Sequence, residues 1–115
     1  VNVHGIDGAL PKQIKYFKNL EELNLGLTYL KKIHPNLYKL KKLRKLNLVG
    51  NFFDDIPKGI SALRNLKELD LGLYGGKFPK DIVQLKKLTS LNLNFLDGFT
   101  LEQKEWFDNL KKYNQ

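Results

Sequence analysis

Residues capable of covalent chemistry are scarce in this chain. It contains two histidines, two serines and no cysteine, so any nucleophile and its general base must come from a very small set. In the repeat that organises the chain, His4 falls at an outward strand position and His34 falls where other units carry a turn proline. Neither aligns with Ser61 or Ser90, although a nucleophile needs its base within hydrogen-bond reach. The sequence therefore predicts no catalytic triad, and it shows no metal-ligand spacing.

A glycine-rich stretch is the nearest approach to a phosphate-binding loop. Gly72, Gly75, Gly76 and Lys77 resemble part of the motif in which backbone amides cradle phosphates and a lysine follows. The spacing is one residue short, and Phe78 stands where that motif needs serine or threonine. We therefore expect no cofactor and predict that the chain is not an enzyme.

Composition indicates one small domain with a periodic sequence. Leucine supplies 23 of the 115 residues, while cysteine and methionine are absent. No apolar run reaches the roughly 18 residues that a transmembrane helix needs. The net charge is +8, and 18 of the 20 basic residues are lysine. Because arginine is better suited to bidentate contacts with phosphates and bases, the lysines indicate a solvated surface and argue against nucleic acid as the partner.

Leucines recur with a period of 23 residues, shortened once to 22. Each unit contains Leu-x-x-Leu-x-Leu, which predicts a short strand with leucines on one face. Apolar residues three positions apart follow each strand and predict short 3₁₀ or α turns. An earlier half-unit, with Ile14, Phe17 and Leu20, has the same spacing. The leucine triplets are Leu20, Leu23 and Leu25; Leu43, Leu46 and Leu48; Leu66, Leu69 and Leu71; and Leu88, Leu91 and Leu93.

With this period the chain resembles the leucine-rich repeat proteins, specifically the short bacterial type of about 23 residues. The characteristic turn is seen in Leu10-Pro11-Lys12-Gln13-Ile14 and in Phe78-Pro79-Lys80-Asp81-Ile82. The resemblance implies an α/β solenoid, a curved right-handed superhelix with a parallel β-sheet on its concave face and 3₁₀ or α turns on its convex face. It also implies binding of a protein ligand and an exported or surface-associated role.

The repeats divide the chain into a solenoid over residues 1–99 and a C-terminal capping helix over residues 100–115. The individual repeats are expected near residues 1–19, 20–42, 43–65, 66–87 and 88–99. A single unit cannot bury its leucines alone, so the units must stack, and the open ends of the stack need caps. Thr100 and Gln103 form a capping box that predicts a helix from about Leu101 to Tyr113. Trp106 lies on the apolar stripe of this helix and is expected to pack on the core.

Two kinds of turn are expected after the strands. Thr28 and Asn51 occupy the position at which family members usually carry asparagine, whose side chain bonds to turn backbone. The other units have an apolar residue there, followed by a glycine: Gly8, Gly76 and Gly98. We expect those three glycines to adopt positive φ angles.

Stacking would align outward strand residues into columns on the concave face, where no core requirement restricts their type. Small and amide side chains there predict a shallow trough, and apolar residues beside it predict binding hot spots. The alternative is that some of these apolar residues pack on their neighbours. The predicted protein-binding residues are Leu27, Tyr29, Val49, Phe52, Leu73, Phe95, Asn24, Asn47, Asp70, Asn92, Glu22 and Lys45.

The residues from Val1 to Val3 are predicted to form an edge strand with unpaired backbone groups, which could pair with a second copy of the chain. The predicted function is a non-catalytic protein-interaction module that binds through the concave sheet and adjoining loops. Two alternatives remain open. One is electrostatic adhesion to anionic surfaces through the lysine-rich convex face, and the other is a targeting fragment of a larger enzyme.

Overall fold

A computed structural model describes residues 12–27, 33–51, 58–71, 80–92 and 100–113 of the chain. Four short strands alternate with four 3₁₀ segments, and one α-helix follows. The strands are β1 (Glu22–Asn24), β2 (Lys45–Asn47), β3 (Glu68–Asp70) and β4 (Ser90–Asn92). The 3₁₀ segments are η1 (Lys12–Tyr16), η2 (Pro35–Lys39), η3 (Lys58–Ala62) and η4 (Lys80–Gln84), and the helix is α1 (Leu101–Tyr113).

The four strands form one parallel sheet in the order β1-β2-β3-β4. The pairing joins Leu23 to Leu46, Leu46 to Leu69, and Leu69 to Leu91, so equivalent repeat positions lie side by side. This register confirms the parallel ladder and the solenoid fold that the leucine period predicts. The start and end of each repeat, and the division at residue 99, stay predictions.

The core is a single cluster of leucines and isoleucines enclosed between the sheet and the 3₁₀ segments. Leu23, Leu46 and Leu69 point inward from the strands and are buried, because successive strand residues face opposite sides. Leu40 and Leu63, which follow η2 and η3, are completely buried on the opposite side of the core. Full burial of each such side chain stabilises the fold by about 1.5–3 kcal/mol.

Local signals set the start and the packing of η2. His34 is its N-cap residue, and its Nδ1 accepts a hydrogen bond from the backbone N–H of Asn36 at 3.1 Å. Pro35 occupies the first turn, where a missing N–H costs nothing. The Tyr38 ring of η2 packs over Gly59 of η3, where any side chain would collide with it. Burial raises the pKa of Tyr38 to about 12.

Asn51 joins neighbouring units through the turn that follows β2. Its buried side-chain amide donates hydrogen bonds to the carbonyl of Leu48 at 3.1 Å and to the carbonyl of Leu25, in the preceding unit, at 2.7 Å. This contact is the polar type of turn that the sequence predicts. Thr28 and the three turn glycines, Gly8, Gly76 and Gly98, lie outside the described residues.

The helix α1 closes the C-terminal end of the stack. The predicted capping box is present: Gln103 N–H donates to Thr100 Oγ1 at 3.1 Å, and Thr100 N–H donates to Gln103 Oε1 at 2.9 Å. Phe107 is buried, and Trp106 and Leu110 are partly buried against the leucine core. Trp106 therefore packs on the core, as its place on the apolar stripe predicts.

Replacing Asn51 by alanine should lower the free energy of unfolding by about 2–3 kcal/mol, because two buried carbonyls lose their donor. Urea unfolding followed by circular dichroism measures the change. Asn65→Ala is a matched control, since its exposed amide also donates to a carbonyl of the preceding unit, that of Lys41. We expect less than about 1 kcal/mol there, where water replaces the lost donor. Equal losses in the two variants would contradict the structural role given to Asn51.

Candidate functional site

The outward residues of the four strands form two parallel columns, which together we call the sheet face. The parallel register alone creates these columns, since each strand contributes its first and third residues to the same side. The columns line a cavity of about 500 Å³ that extends across all four strands. Their members are Glu22, Lys45, Glu68 and Ser90 in the first column and Asn24, Asn47, Asp70 and Asn92 in the second.

Asparagine side chains in the second column are held in place by their own backbone. Asn24 Oδ1 accepts a hydrogen bond from Gly26 N–H, and Asn47 Oδ1 accepts one from Val49 N–H, each at 2.9 Å. Both side chains are partly buried. Because the oxygen of each amide is engaged, the Nδ2 group is oriented as a hydrogen-bond donor on the sheet face. Two equivalent donors therefore stand on adjacent strands, roughly 4.8 Å apart as the strand spacing requires.

Asp70 continues this column on β3 and changes its chemistry. Its Oδ1 atom is buried and has no hydrogen-bond partner among the residues that the structure describes. A buried polar atom of this kind costs free energy unless it acquires a donor. The column therefore presents amide donors on β1 and β2 and a carboxylate acceptor on β3.

Charge alternates along the first column. Lys45 Nζ lies 3.1 Å from Glu68 Oε2 and 3.4 Å from Glu22 Oε1, so one ammonium group bridges three strands. Hydrogen bonds to Glu68 and, next, to Glu22 raise the pKa of Lys45 above its ordinary value. All three side chains are about half exposed, so the network contributes little to stability and is accessible to a ligand.

An exposed leucine lies at the edge of the sheet face in a conformation that leucine rarely adopts. Leu27 is 69% exposed and has a φ angle of 56°, and its N–H donates to the carbonyl of Val49 at 2.8 Å. Its side chain extends over Gly50, the equivalent residue of the next unit, which has a φ angle of 75°. A positive φ angle costs a non-glycine residue about 1–2 kcal/mol. The strained backbone therefore holds an exposed apolar side chain at the edge of the sheet face.

Eight of the twelve predicted binding residues are thus located by the structure. Asn24, Asn47, Asp70 and Asn92 share one column, Glu22 and Lys45 lie in the other, and Leu27 and Val49 are neighbours at the edge. Val49 is partly buried, so part of its surface packs on neighbours. Tyr29, Phe52, Leu73 and Phe95 lie outside the described residues.

Two features of the site are absent from the sequence prediction. The positive φ angle at Leu27 has no signal in a leucine itself, although its alignment with Gly50 in the repeat provides one. The lysine-rich convex face is part of the sequence prediction, but the exposed ring of Tyr16 among those lysines is not. Tyr16 shares its outward repeat position with Lys39, which is the signal that the sequence offers.

Other kinds of site are not seen in the part of the chain that the structure describes. No three histidine, aspartate or glutamate side chains gather there in a group that could hold a metal ion. Within the same ranges, no helix combines the length and the apolar character needed to cross a lipid bilayer.

Comparison with known proteins agrees with the architecture. Internalin C2 of Listeria monocytogenes superposes with a TM-score of 0.65 at 24% identity, over 73% of this chain and 36% of that chain. A leucine-rich repeat protein of Leptospira interrogans superposes with a TM-score of 0.63 at 41% identity, over 78% of this chain and 23% of that chain. Receptor-like protein 27 of Arabidopsis thaliana is 30% identical over 97 residues, which span 80% of this chain.

The chain therefore has the leucine-rich repeat fold. It matches no protein-family model. It spans only 12% of the plant relative's length, and about a third or less of each of the two bacterial structures. Proteins with this fold typically serve as protein-interaction modules and use extended concave surfaces for the purpose.

Replacing Leu27 by glycine should give a protein at least about 1 kcal/mol more stable than replacement by alanine, since glycine alone adopts the positive φ angle without strain. Both variants lose the side-chain contact with Gly50, but only alanine keeps the backbone strain. Thermal unfolding of the two variants, measured side by side, provides the comparison. An alanine variant as stable as the glycine variant would show that the backbone at this position is unstrained.

Proposed function

We propose that this chain is a non-catalytic recognition module that binds a protein ligand on the sheet face and its adjoining loops. The observation that carries the proposal is the pair of amide donors of Asn24 and Asn47, fixed in orientation by their own turns. Binding a ligand to side chains that are already held costs less conformational entropy than ordering free ones. The proposed contact residues also include the loop positions Tyr29, Phe52, Leu73 and Phe95.

The two columns and the apolar edge suit different parts of a protein ligand. Asn24 and Asn47 can donate to backbone carbonyls, and the partly buried Asp70 carboxylate can accept from an N–H or a cationic side chain. The half-exposed carboxylates around Lys45 favour a ligand with complementary charges, which affects association rate and specificity more than affinity. Leu27 offers an apolar contact, and such contacts are the usual sources of binding energy.

We propose that this module belongs to an exported or surface-associated bacterial protein that contacts host or envelope proteins. The 41% identity with the Leptospira protein supports a bacterial origin. Because the chain corresponds to a fraction of its relatives' lengths, it also suits a role as the recognition part of a larger protein. The alternative is that the larger protein is an enzyme and that this chain is its targeting fragment.

Substitutions on the sheet face should weaken binding of the ligand without unfolding the protein. We expect Asn47→Ala and Leu27→Ser each to weaken binding about tenfold, as loss of a hot-spot contact does. The ligand is first isolated by pull-down from envelope and host extracts, and affinities are then measured by biolayer interferometry. Phe52→Ala and Phe95→Ala test the loop residues in the same way, and loss of stability instead of binding would assign those residues to packing.

The control for these variants is Lys87→Ser, which removes a charge from the opposite side of the solenoid. A ligand that binds all the sheet-face variants as tightly as the unaltered protein would exclude this surface. The dependence of binding on salt concentration distinguishes sheet-face recognition from the alternative mechanism. Adhesion through the lysines alone should weaken steeply with ionic strength. Binding that disappears in high salt while tolerating every sheet-face substitution would favour adhesion.

We further propose that the chain self-associates through its N-terminal region, from the predicted edge strand at Val1 and Val3 to η1. Support comes from Phe17, which is 54% exposed although Leu40, Leu63 and Leu85 are completely buried at the same repeat position. At this repeat position the other units bury their leucine by stacking on a neighbouring unit. Exposed apolar surface at such a position favours association.

Light scattering should report a mass near twice the 13.4 kDa of one chain at high protein concentration. Phe17→Ser should restore the monomer, because it removes the apolar contact without changing charge. Trp106→Phe, at the other end of the stack, is the control and should leave the dimer intact. A monomer at every concentration would refute self-association and leave ligand binding by the sheet face unaffected.

A further inference from the structure

Lysines and one exposed tyrosine form a cluster on the side of the solenoid opposite the sheet face. The cluster, which we call the basic patch, lines a shallow cleft of about 540 Å³ between η1 and η2. Neither residues 12–20 nor residues 33–43, which supply it, contain an aspartate or a glutamate. The members of the basic patch are Lys15, Tyr16, Lys18, Lys39, Lys41 and Lys42.

No ion pair among the described residues neutralises the positive charge of the basic patch. Lys42 Nζ donates to Asn19 Oδ1 at 2.9 Å, and Lys41 Nζ donates to the carbonyl of Ala62 at 3.3 Å, so both bind uncharged acceptors. The ion pairs seen among the described residues involve Arg44 and Lys45, outside the patch. Several ammonium groups thus remain close together with no carboxylate among them. Only a partner with several negative charges complements this surface.

Tyr16 provides apolar surface at the centre of the basic patch. It is 69% exposed, and Lys15 Nζ lies 5.3 Å from the centroid of its ring. At the same repeat position, Lys39 is exposed and Ala62 and Gln84 are partly exposed. The exposure of Tyr16 is therefore a property of the convex side in every unit. An aromatic ring with a polar tip, surrounded by lysines, suits the boundary between lipid headgroups and acyl chains.

We propose that the basic patch docks the protein on a membrane surface rich in anionic phospholipids. A membrane presents many negative charges in a plane, and each nearby lysine adds to the attraction. The cations of the patch are all lysines, which act as point charges and lack the fork with which arginine reads phosphates and bases of nucleic acids. Insertion of Tyr16 at the interface adds a contact that salt does not screen.

This orientation leaves the sheet face free, because the basic patch and the strands lie on opposite sides of the core. The protein would hold its convex side to the lipid and present the two columns to the surrounding solution. Membrane docking and ligand recognition are then separate properties of the molecule. Either can be lost by substitution without loss of the other.

The test is sedimentation of the protein with vesicles of phosphatidylcholine containing about 30% phosphatidylserine, at about 0.1 M salt. We expect binding to these vesicles and none to pure phosphatidylcholine. Lys42→Ser should weaken partitioning about fivefold, which is the effect of one lysine near an anionic surface. Tyr16→Ser should remove the part of the partitioning that persists when the salt concentration is raised. Tyr16→Phe should partition as the unaltered protein does.

Lys87→Ser is the matched control, because Lys87 Nζ donates to Asn65 Oδ1 at 2.7 Å, the equivalent of the Lys42 contact two units away. It removes the same charge and the same kind of hydrogen bond, but outside the patch, and should change partitioning less than about twofold. Thermal unfolding of each variant confirms that it is folded. Equal losses of partitioning for Lys42→Ser and Lys87→Ser would show that only the net charge of the protein matters. That result would refute the basic patch as the docking site. Binding to a DNA duplex or to heparin without binding to the anionic vesicles would refute a membrane as the partner of the basic patch.

Discussion

The structure depends on the inability of one repeat to bury its own leucines. Strands of three residues are too short to be stable alone, and one strand with one 3₁₀ segment encloses no volume. Leucines such as Leu46 and Leu63 leave water only when the units before and after them are in place. Burial is therefore shared between neighbours, and the parallel register of the sheet follows from it. A slip of one residue would turn the inward leucines toward solvent.

Because the leucines alone satisfy the core, the residues that alternate with them are free to vary. The register brings these outward residues together from positions that are 22 or 23 residues apart in the chain. That is how Lys45 comes to lie between Glu22 and Glu68, and how Asn24 and Asn47 present equivalent amide donors. The sheet face is thus a consequence of the stacking that stabilises the molecule. The same stacking brings lysines of two units together in the basic patch on the other side.

The turns that follow the strands combine stabilising and strained features. Asn51 fills the turn with hydrogen bonds to two units, and this contact stabilises the stack. One residue earlier, the backbone needs a positive φ angle, which Gly50 adopts freely and Leu27 adopts with strain. The strained residue is the one that presents apolar surface beside the sheet face. The stabilising asparagine and the strained, exposed leucine therefore occupy adjacent repeat positions in the turns of two neighbouring units.

Sequence alone determined the repeat, the fold and the order of elements, because the 23-residue period and the alternation within each leucine triplet are local patterns that survive without coordinates. The capping box of Thr100 and Gln103 was equally readable, since both partners lie within one helical turn. The outward columns could be predicted once the strands were known to be parallel and in register. Other properties required the tertiary structure: the bridging position of Lys45, the unpartnered oxygen of Asp70, the positive φ angle of Leu27 and the exposure of Phe17. Each depends on distances and packing between units. The repeat alignment of Leu27 with Gly50 indicates where a positive φ angle is needed, but a sequence pattern determines neither a backbone angle nor an interatomic distance.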